Sequence, residues 1–291
     1  MGALFLRLFR LVIVAALLLV PVILVAWILA LLTGVTGGMA DFVLKWFHVL
    51  VHVALLLAVC ISAFVFDSMG LEDMGLRLKG RWVELGFGLV LGLGILVGLF
   101  LFLNALGVIS FHGVNWPAAD SFIFGALLVF IFGAASEEML FRGYILNHMS
   151  GYMGQALLIS SLLFAVVHGV SPGGMNLLFF FQLVLAGYVM GYMYLWSGSL
   201  WLPFGFHLSW NMVVASFLGA PMIEGALLNL QVTSSLFVPF LHLGMFAAPI
   251  IALYVARWFL LQRGKACPWK ARLTPFMTPD LVLADETVEH G

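Results

Sequence analysis

Three polar blocks interrupt an apolar stretch of this chain: Glu137-Glu138-x-x-x-Arg142, Phe164-x-x-x-His168 and His207-x-x-x-Asn211. Their residue types suit one kind of chemistry. A partly desolvated carboxylate serves as a general base for water. An imidazole can orient that water, and an imidazole with an amide N–H can donate to the oxyanion of a tetrahedral intermediate. Together they make a toolkit for hydrolysing a peptide bond without a covalent intermediate. Two histidines and a glutamate (His168, His207 and Glu137) are also a common catalytic zinc set, so the residue types alone leave a metal open.

The placement of charge sharpens this. Between Gly107 and Ala256 the charged residues are Asp120, Glu137, Glu138, Arg142 and Glu224. Asp120 and Glu224 fall at span edges or in loops. The other three form one cluster, and ionisable groups inside a membrane are costly and by default mark function. On a helix Glu138 and Arg142 are four apart, share a face and can pair. Glu137 points about 100° away and lacks that partner. His48 and His52 also share a helix face, but with no carboxylate nearby in sequence they read as packing residues.

The elements that position these blocks follow from composition. Of 291 residues 64% are hydrophobic and 9% charged, against about half and a quarter in soluble domains. That balance excludes a water-soluble enzyme. A net charge of −1 without a basic stripe excludes nucleic acid as a partner. Cys60 and Cys267 are too few for a disulfide framework or a cysteine zinc site. The chain reads as an all-α polytopic bundle with eight spans near 11–33, 42–66, 83–106, 120–149, 154–169, 176–196, 200–218 and 237–261. Arg7, Arg10, Arg77, Lys79, Arg81, Arg263, Lys265, Lys270 and Arg272 alternate with connections free of Lys and Arg; Lys45 is the exception. By the positive-inside rule both termini are cytoplasmic, and the protein is multi-pass and bilayer-embedded. Paired glycines, Gly88/Gly92 and Gly94/Gly98, predict close helix packing in the third span.

Depth brings the blocks together. Glu137 lies 15 residues before a turn near Tyr152, and His168 lies 16 after it. His207 and Asn211 follow the next cytoplasmic turn, near Gly198, by 9 and 13 residues. Straight helices put all four within a slab of roughly 10 Å, expected to open toward the cytoplasm.

These blocks, in this order, resemble the CAAX protease and bacteriocin-processing family of intramembrane endopeptidases, which includes the Ras-converting CAAX prenyl protease. Phe141-Arg142-Gly143, Gly198-Ser199-Leu200 and Pro203 are similar too. The resemblance covers 120–219 as a catalytic core. Around it lie N-terminal spans and connections (1–119), a last span (220–262) and a cytoplasmic tail (263–291) read as disordered. It implies water activation by Glu137 and His168, an oxyanion site at His207 and Asn211, and support from Glu138 and Arg142. The substrate would be a peptide or a membrane-associated protein. No cofactor is the expectation; zinc on Glu137, His168 and His207 is the alternative. A non-proteolytic scaffold or bacteriocin-immunity protein on the same fold is the alternative function. Other intramembrane proteases fit poorly: there is no His-Glu-x-x-His, no pair of intramembrane aspartates, and no Gly-x-Ser around Ser136.

Overall fold

The computed structural model describes residues 2–32, 38–77, 79–116, 127–149, 153–169, 176–219 and 226–264. Asp120, Glu224, the turn near Tyr152 and the tail beyond Gly264 lie outside them. Eight α-helices run in order through the described residues: α1 (Gly2–Leu32), α2 (Gly38–Ile61), α3 (Trp82–Ala105), α4 (Leu127–Glu138), α5 (Met153–His168), α6 (Leu177–Ser197), α7 (Trp201–Leu218) and α8 (Phe237–Gln262). Two of them widen into π-helical segments, α2 into Ser62–Phe66 and α4 into Met139–Leu146. The protein is a helical polytopic membrane bundle. Phe5–Val25, Trp46–Phe66, Trp82–Ala105, Leu177–Ser197 and Phe237–Gln262 are long and apolar enough to cross a membrane. The expected spans at 120–149, 154–169 and 200–218 do not reach that standard among the described residues. They are the three that carry the polar blocks.

Glycine decides the closest helix contact. A Cβ on Gly88 would run into the Leu202 carbonyl, one on Gly92 into Ser209, and one on Gly205 into the Leu85 carbonyl at 2.5 Å. Bare backbone on both sides lets α3 and α7 approach closely, in the manner of small-residue membrane interfaces. Gly94 and Gly98 face nothing within 4 Å, so only the first pair of the expected motif packs. On α6, Gly187 meets the Ser161 backbone of α5, a would-be Cβ standing 3.0 Å from Ser161 Cα.

The turn between α6 and α7 fixes the depth of His207. Gly198 closes α6 in the left-handed region (φ +62°), where its N–H donates to the Tyr194 carbonyl. Ser197 Oγ donates to the Ser199 carbonyl at 2.9 Å, and Leu200 N–H to the Gly75 carbonyl at 3.0 Å.

Basic groups gather at this end of the bundle. Arg81 donates to the Ser197 carbonyl (3.0 Å) and to Glu84 (2.8 Å). Arg7 pairs with Asp67 at 3.3 Å. The indole of Trp201 donates to the Arg77 carbonyl. Phe87 and Phe259 stack with centroids 3.7 Å apart, which brings the Arg263 end of α8 beside the start of α3.

The opposite end carries a small sheet that the hydropathy reading treated only as connections. β1 (Ile109–Val114) pairs antiparallel with β2 (Leu228–Val232), Ile109 opposite Val232 and Phe111 opposite Leu230. Alternation is the cause: Ile109, Phe111, Leu228 and Leu230 pack on Val213 and Phe217 of α7, while Asn229 and Gln231 stay exposed.

Candidate active site

The three blocks converge between α4, α5 and α7. Glu138, at the last turn of α4, is buried with its carboxylate between two donors. Its Oε1 accepts from Arg142 Nη1 at 2.7 Å and from His207 Nδ1 at 2.8 Å. The expected pairing of Glu138 with Arg142 is present, and it extends to His207 on another helix. Arg142 is 1% exposed. It also donates to the Gly187 carbonyl at 3.1 Å and lies over the Phe164 ring, 4.8 Å from the centroid. One arginine thus joins α4, α5 and α6. Phe164 gives the second block its aromatic: its ring covers the guanidinium, and its carbonyl accepts from His168 Nδ1 at 2.7 Å.

These contacts settle which ring atoms remain. A carbonyl and an ionised carboxylate only accept, so Nδ1 carries the hydrogen in both His168 and His207. Nε2 of each ring then faces Glu137. His168 Nε2 and His207 Nε2 each stand 3.7 Å from Glu137 Oε2. Nε2 accepts when its ring is neutral and donates when the ring is protonated. Glu137 Oε2 is itself buried, with no hydrogen-bond partner among the described residues. The expected separation of the two glutamates therefore holds: Glu138 is spent on Arg142 and His207, and Glu137 is presented to the two imidazoles. As the side chains stand, no group of three or more His, Cys, Asp or Glu among the described residues is drawn together as a metal site.

Asn211, one turn beyond His207, lines a cavity of about 260 Å³ together with His168 and His207. Phe130, Leu183, Trp210, Val214 and Met245 supply apolar wall. The cavity reaches Gly219 at the end of α7 and Phe179 near the start of α6. Toward the Gly198 turn it stops at Met190 and Phe206. It therefore extends away from the Gly198 end, where the depth argument had it opening toward that end. The reason is packing: the Gly198 half is filled by Arg142, Tyr144, Leu146, Tyr194 and Leu202, each at most 1% exposed.

His52 is the neighbour that sequence reading missed. Ser136 Oγ donates to the Gly133 carbonyl at 3.0 Å and so accepts from His52 Nδ1, also at 3.0 Å. Helix α2 thereby braces the residue next to Glu137. No spacing rule links position 52 to position 136, so only the fold reveals this contact. Among the described residues His48 takes no part in the cluster's hydrogen bonds.

A helical membrane bundle with two imidazoles and a carboxylate converging beside an apolar cavity has the make-up of an intramembrane hydrolase. Residues 119–213 match the family model described as Rce1-like, the Type II CAAX prenyl endopeptidase Rce1-like family. The matched stretch is roughly a third of the chain and holds all three blocks. The match implies a CAAX-type intramembrane protease, with a peptide or protein substrate met in a membrane setting. No curated protein and no solved structure matches the chain.

Proposed function

We propose that this chain is an intramembrane endopeptidase in which Glu137 and His168 activate water and His207 and Asn211 stabilise the oxyanion. The observation that carries this is the convergence of His168 Nε2 and His207 Nε2 on Glu137 Oε2, each at 3.7 Å, with both Nδ1 atoms already engaged. Glu137 takes a proton from a water held by His168, and the hydroxide attacks the substrate carbonyl carbon. Negative charge develops on the carbonyl oxygen. The protonated ring of His207 donates to it through Nε2 and the Asn211 side chain through its N–H. Collapse of the intermediate breaks the C–N bond, and Glu137 returns its proton to the leaving amine.

Glu138, bonded to both Arg142 and His207 Nδ1, holds the His207 ring in the pose that donation requires.

The mechanism we favour uses no metal; a zinc ion on Glu137, His168 and His207 is the competing arrangement. Both termini and the 67–82 connection are assigned to the cytoplasm, because Arg7, Arg77, Arg81 and Arg263 share one end of the bundle. The test is cleavage of peptide and membrane-protein substrates by the purified protein beside Glu137→Gln, with metal content and excess chelator in parallel. Cleavage by wild type alone, indifferent to chelator, is the expected result. A tightly bound zinc lost together with activity and restored with it would replace the metal-free mechanism. A wild-type protein that cleaves nothing while folding normally would favour the scaffold function.

A further inference from the structure

A short connection ties together the two elements that carry Glu138 and His207. Residues 67–77 leave the π-helical end of α2; Gly70 to Asp73 are exposed, whereas Met74 and Gly75 are buried. Gly70 N–H donates to Asp73 Oδ2 at 2.7 Å. Gly75 (φ +83°) turns the chain where a Cβ would stand 2.8 Å from the Tyr194 ring. On one side the segment grips the π-helical end of α4. The Tyr144 hydroxyl donates to the buried Asp67 Oδ2 at 2.5 Å, and Asn147 Nδ2 to the Asp73 carbonyl at 3.1 Å. A Cβ on Gly143 would lie 3.4 Å from Met74 Cβ. On the other side the segment holds the start of α7. Leu200 N–H donates to the Gly75 carbonyl at 3.0 Å, and the Trp201 indole to the Arg77 carbonyl at 3.1 Å.

We infer that segment 67–77 is a clamp that sets the pose of His207 for the reaction, with Tyr144 as its positioning residue. This rests on the proteolytic reading of the site. The Glu138–His207 hydrogen bond, at 2.8 Å, joins the same two elements at one level. A single bond is a pivot, about which α7 can still rotate or tilt. The clamp joins them again at a second level. Tyr144 lies 6 residues after Glu138, and Trp201 lies 6 before His207. That is about 10 Å from the first bond at the helical rise. Two levels fix the angle between the elements as well as their distance. The angle matters because Nε2 lies across the imidazole from Nδ1. A tilt that keeps the Nδ1 bond still swings Nε2 away from Glu137 Oε2, which it faces at 3.7 Å. The clamp residues touch no reacting atom and act through the ring of His207. Arg7 and His148 also face Asp67, at 3.3 Å and 3.4 Å, so loss of the Tyr144 hydroxyl leaves that carboxylate a cation.

The test compares the full-length wild type with Tyr144→Phe and Trp201→Phe, one cut on each side of the clamp. In Tyr144→Phe, kcat per folded molecule is expected to fall by about tenfold with KM unchanged. Trp201→Phe should move it the same way by less, and it decides the matter if Tyr144→Phe does not fold. A lower Tm with wild-type kcat per folded molecule would make the ties merely structural and overturn the inference. A second readout needs no cleavage. In protein carrying isotope-labelled histidine, the NMR resonance of the His207 Nδ1–H is assigned by its loss in His207→Gln. It should shift or broaden in both clamp variants, and an unmoved resonance would overturn the inference whatever the cleavage assay gives. A wild type that cleaves nothing while this resonance moves would refute the proteolytic reading and leave the clamp on His207 standing. The last arm restores the clamp without the hydroxyl. With Cys60 and Cys267 replaced by serine, Met74→Cys and Gly143→Cys are added to Tyr144→Phe, at a Cβ separation of 3.4 Å that is close to disulfide range. Oxidation should return kcat and the resonance toward wild type, and reduction should abolish the gain. A disulfide that forms without restoring either, or cysteines that fail to pair in the folded protein, would count against the clamp.

Discussion

Helix α1 and the π-helical segment Met139–Leu146 are both runs of large apolar residues, yet the molecule treats them in opposite ways. Of the described side chains of α1 only Leu11 is buried, and Leu17 is 69% exposed. In Met139–Leu146 every residue but Leu140 is buried. The difference lies in the few polar groups. Helix α1 carries Arg7 and Arg10 at its first turns, where water is close, and then none through its apolar run. The π-helical segment carries Arg142 and Tyr144 in its middle, with Glu138 just before it and Asn147 just after. Each must find a partner, and beyond the Glu138–Arg142 pair itself the partners lie on other elements: Gly187 on α6, His207 on α7, and Asp67 beyond α2. Apolar content puts a helix in the membrane. Embedded polar groups decide that it faces protein rather than lipid.

The contrast should be steepest at Arg142. Arg142→Leu leaves Glu138 buried without its cation, a loss of about 3–5 kcal/mol. A sharply lower yield of folded protein and a lower Tm in detergent are expected; wild-type Tm and yield would sink the idea that this arginine holds the core together. Glu137→Gln tests the other carboxylate in the opposite sense. It should leave the fold intact while cleavage falls by about 10²–10⁴-fold, and a variant that unfolds would instead make Glu137 a structural residue.

Asn211→Ala should follow, with kcat down by about 10²–10³-fold for one lost oxyanion donor. A rise in KM alone would move Asn211 from the reaction to substrate binding. His52→Leu removes a neutral hydrogen bond to Ser136 and is expected to cost about 1 kcal/mol. Its thermal melt and cleavage rate should both shift slightly, and unchanged values would make the α2 brace dispensable. At the far end of the scale, Leu17→Ala on α1 should stay within about 0.5 kcal/mol, as for exposed positions. A larger change would mean that α1 is covered by another chain.

Much of this architecture was legible because helices in lipid obey simple rules. Hydropathy located the helices, and four-residue spacing paired Glu138 with Arg142. Counting residues from turns brought Glu137, His168 and His207 to one depth. What stayed hidden depends on side-chain direction between elements. Nothing in the spacing says that Glu138 reaches across to His207 Nδ1, or that His52 bonds Ser136. The extent of the cavity was not legible, because residue counts give depth but not where large side chains such as Tyr144 and Tyr194 fill space. The β1–β2 pair was missed since its strands are short and more than 100 residues apart.

The glycine contact between α3 and α7 has a consequence for how such a chain changes through descent. His207 and Asn211 ride on a helix whose fit depends on Gly88 and Gly92, which lie outside the stretch matched to the protease family. Grafting residues 119–213 from a relative with a bulkier residue at 205 would lever α7 off α3 and carry His207 away from Glu138. Inheritance of the chemistry is therefore tied to a partner helix that holds none of it, and the two must vary together.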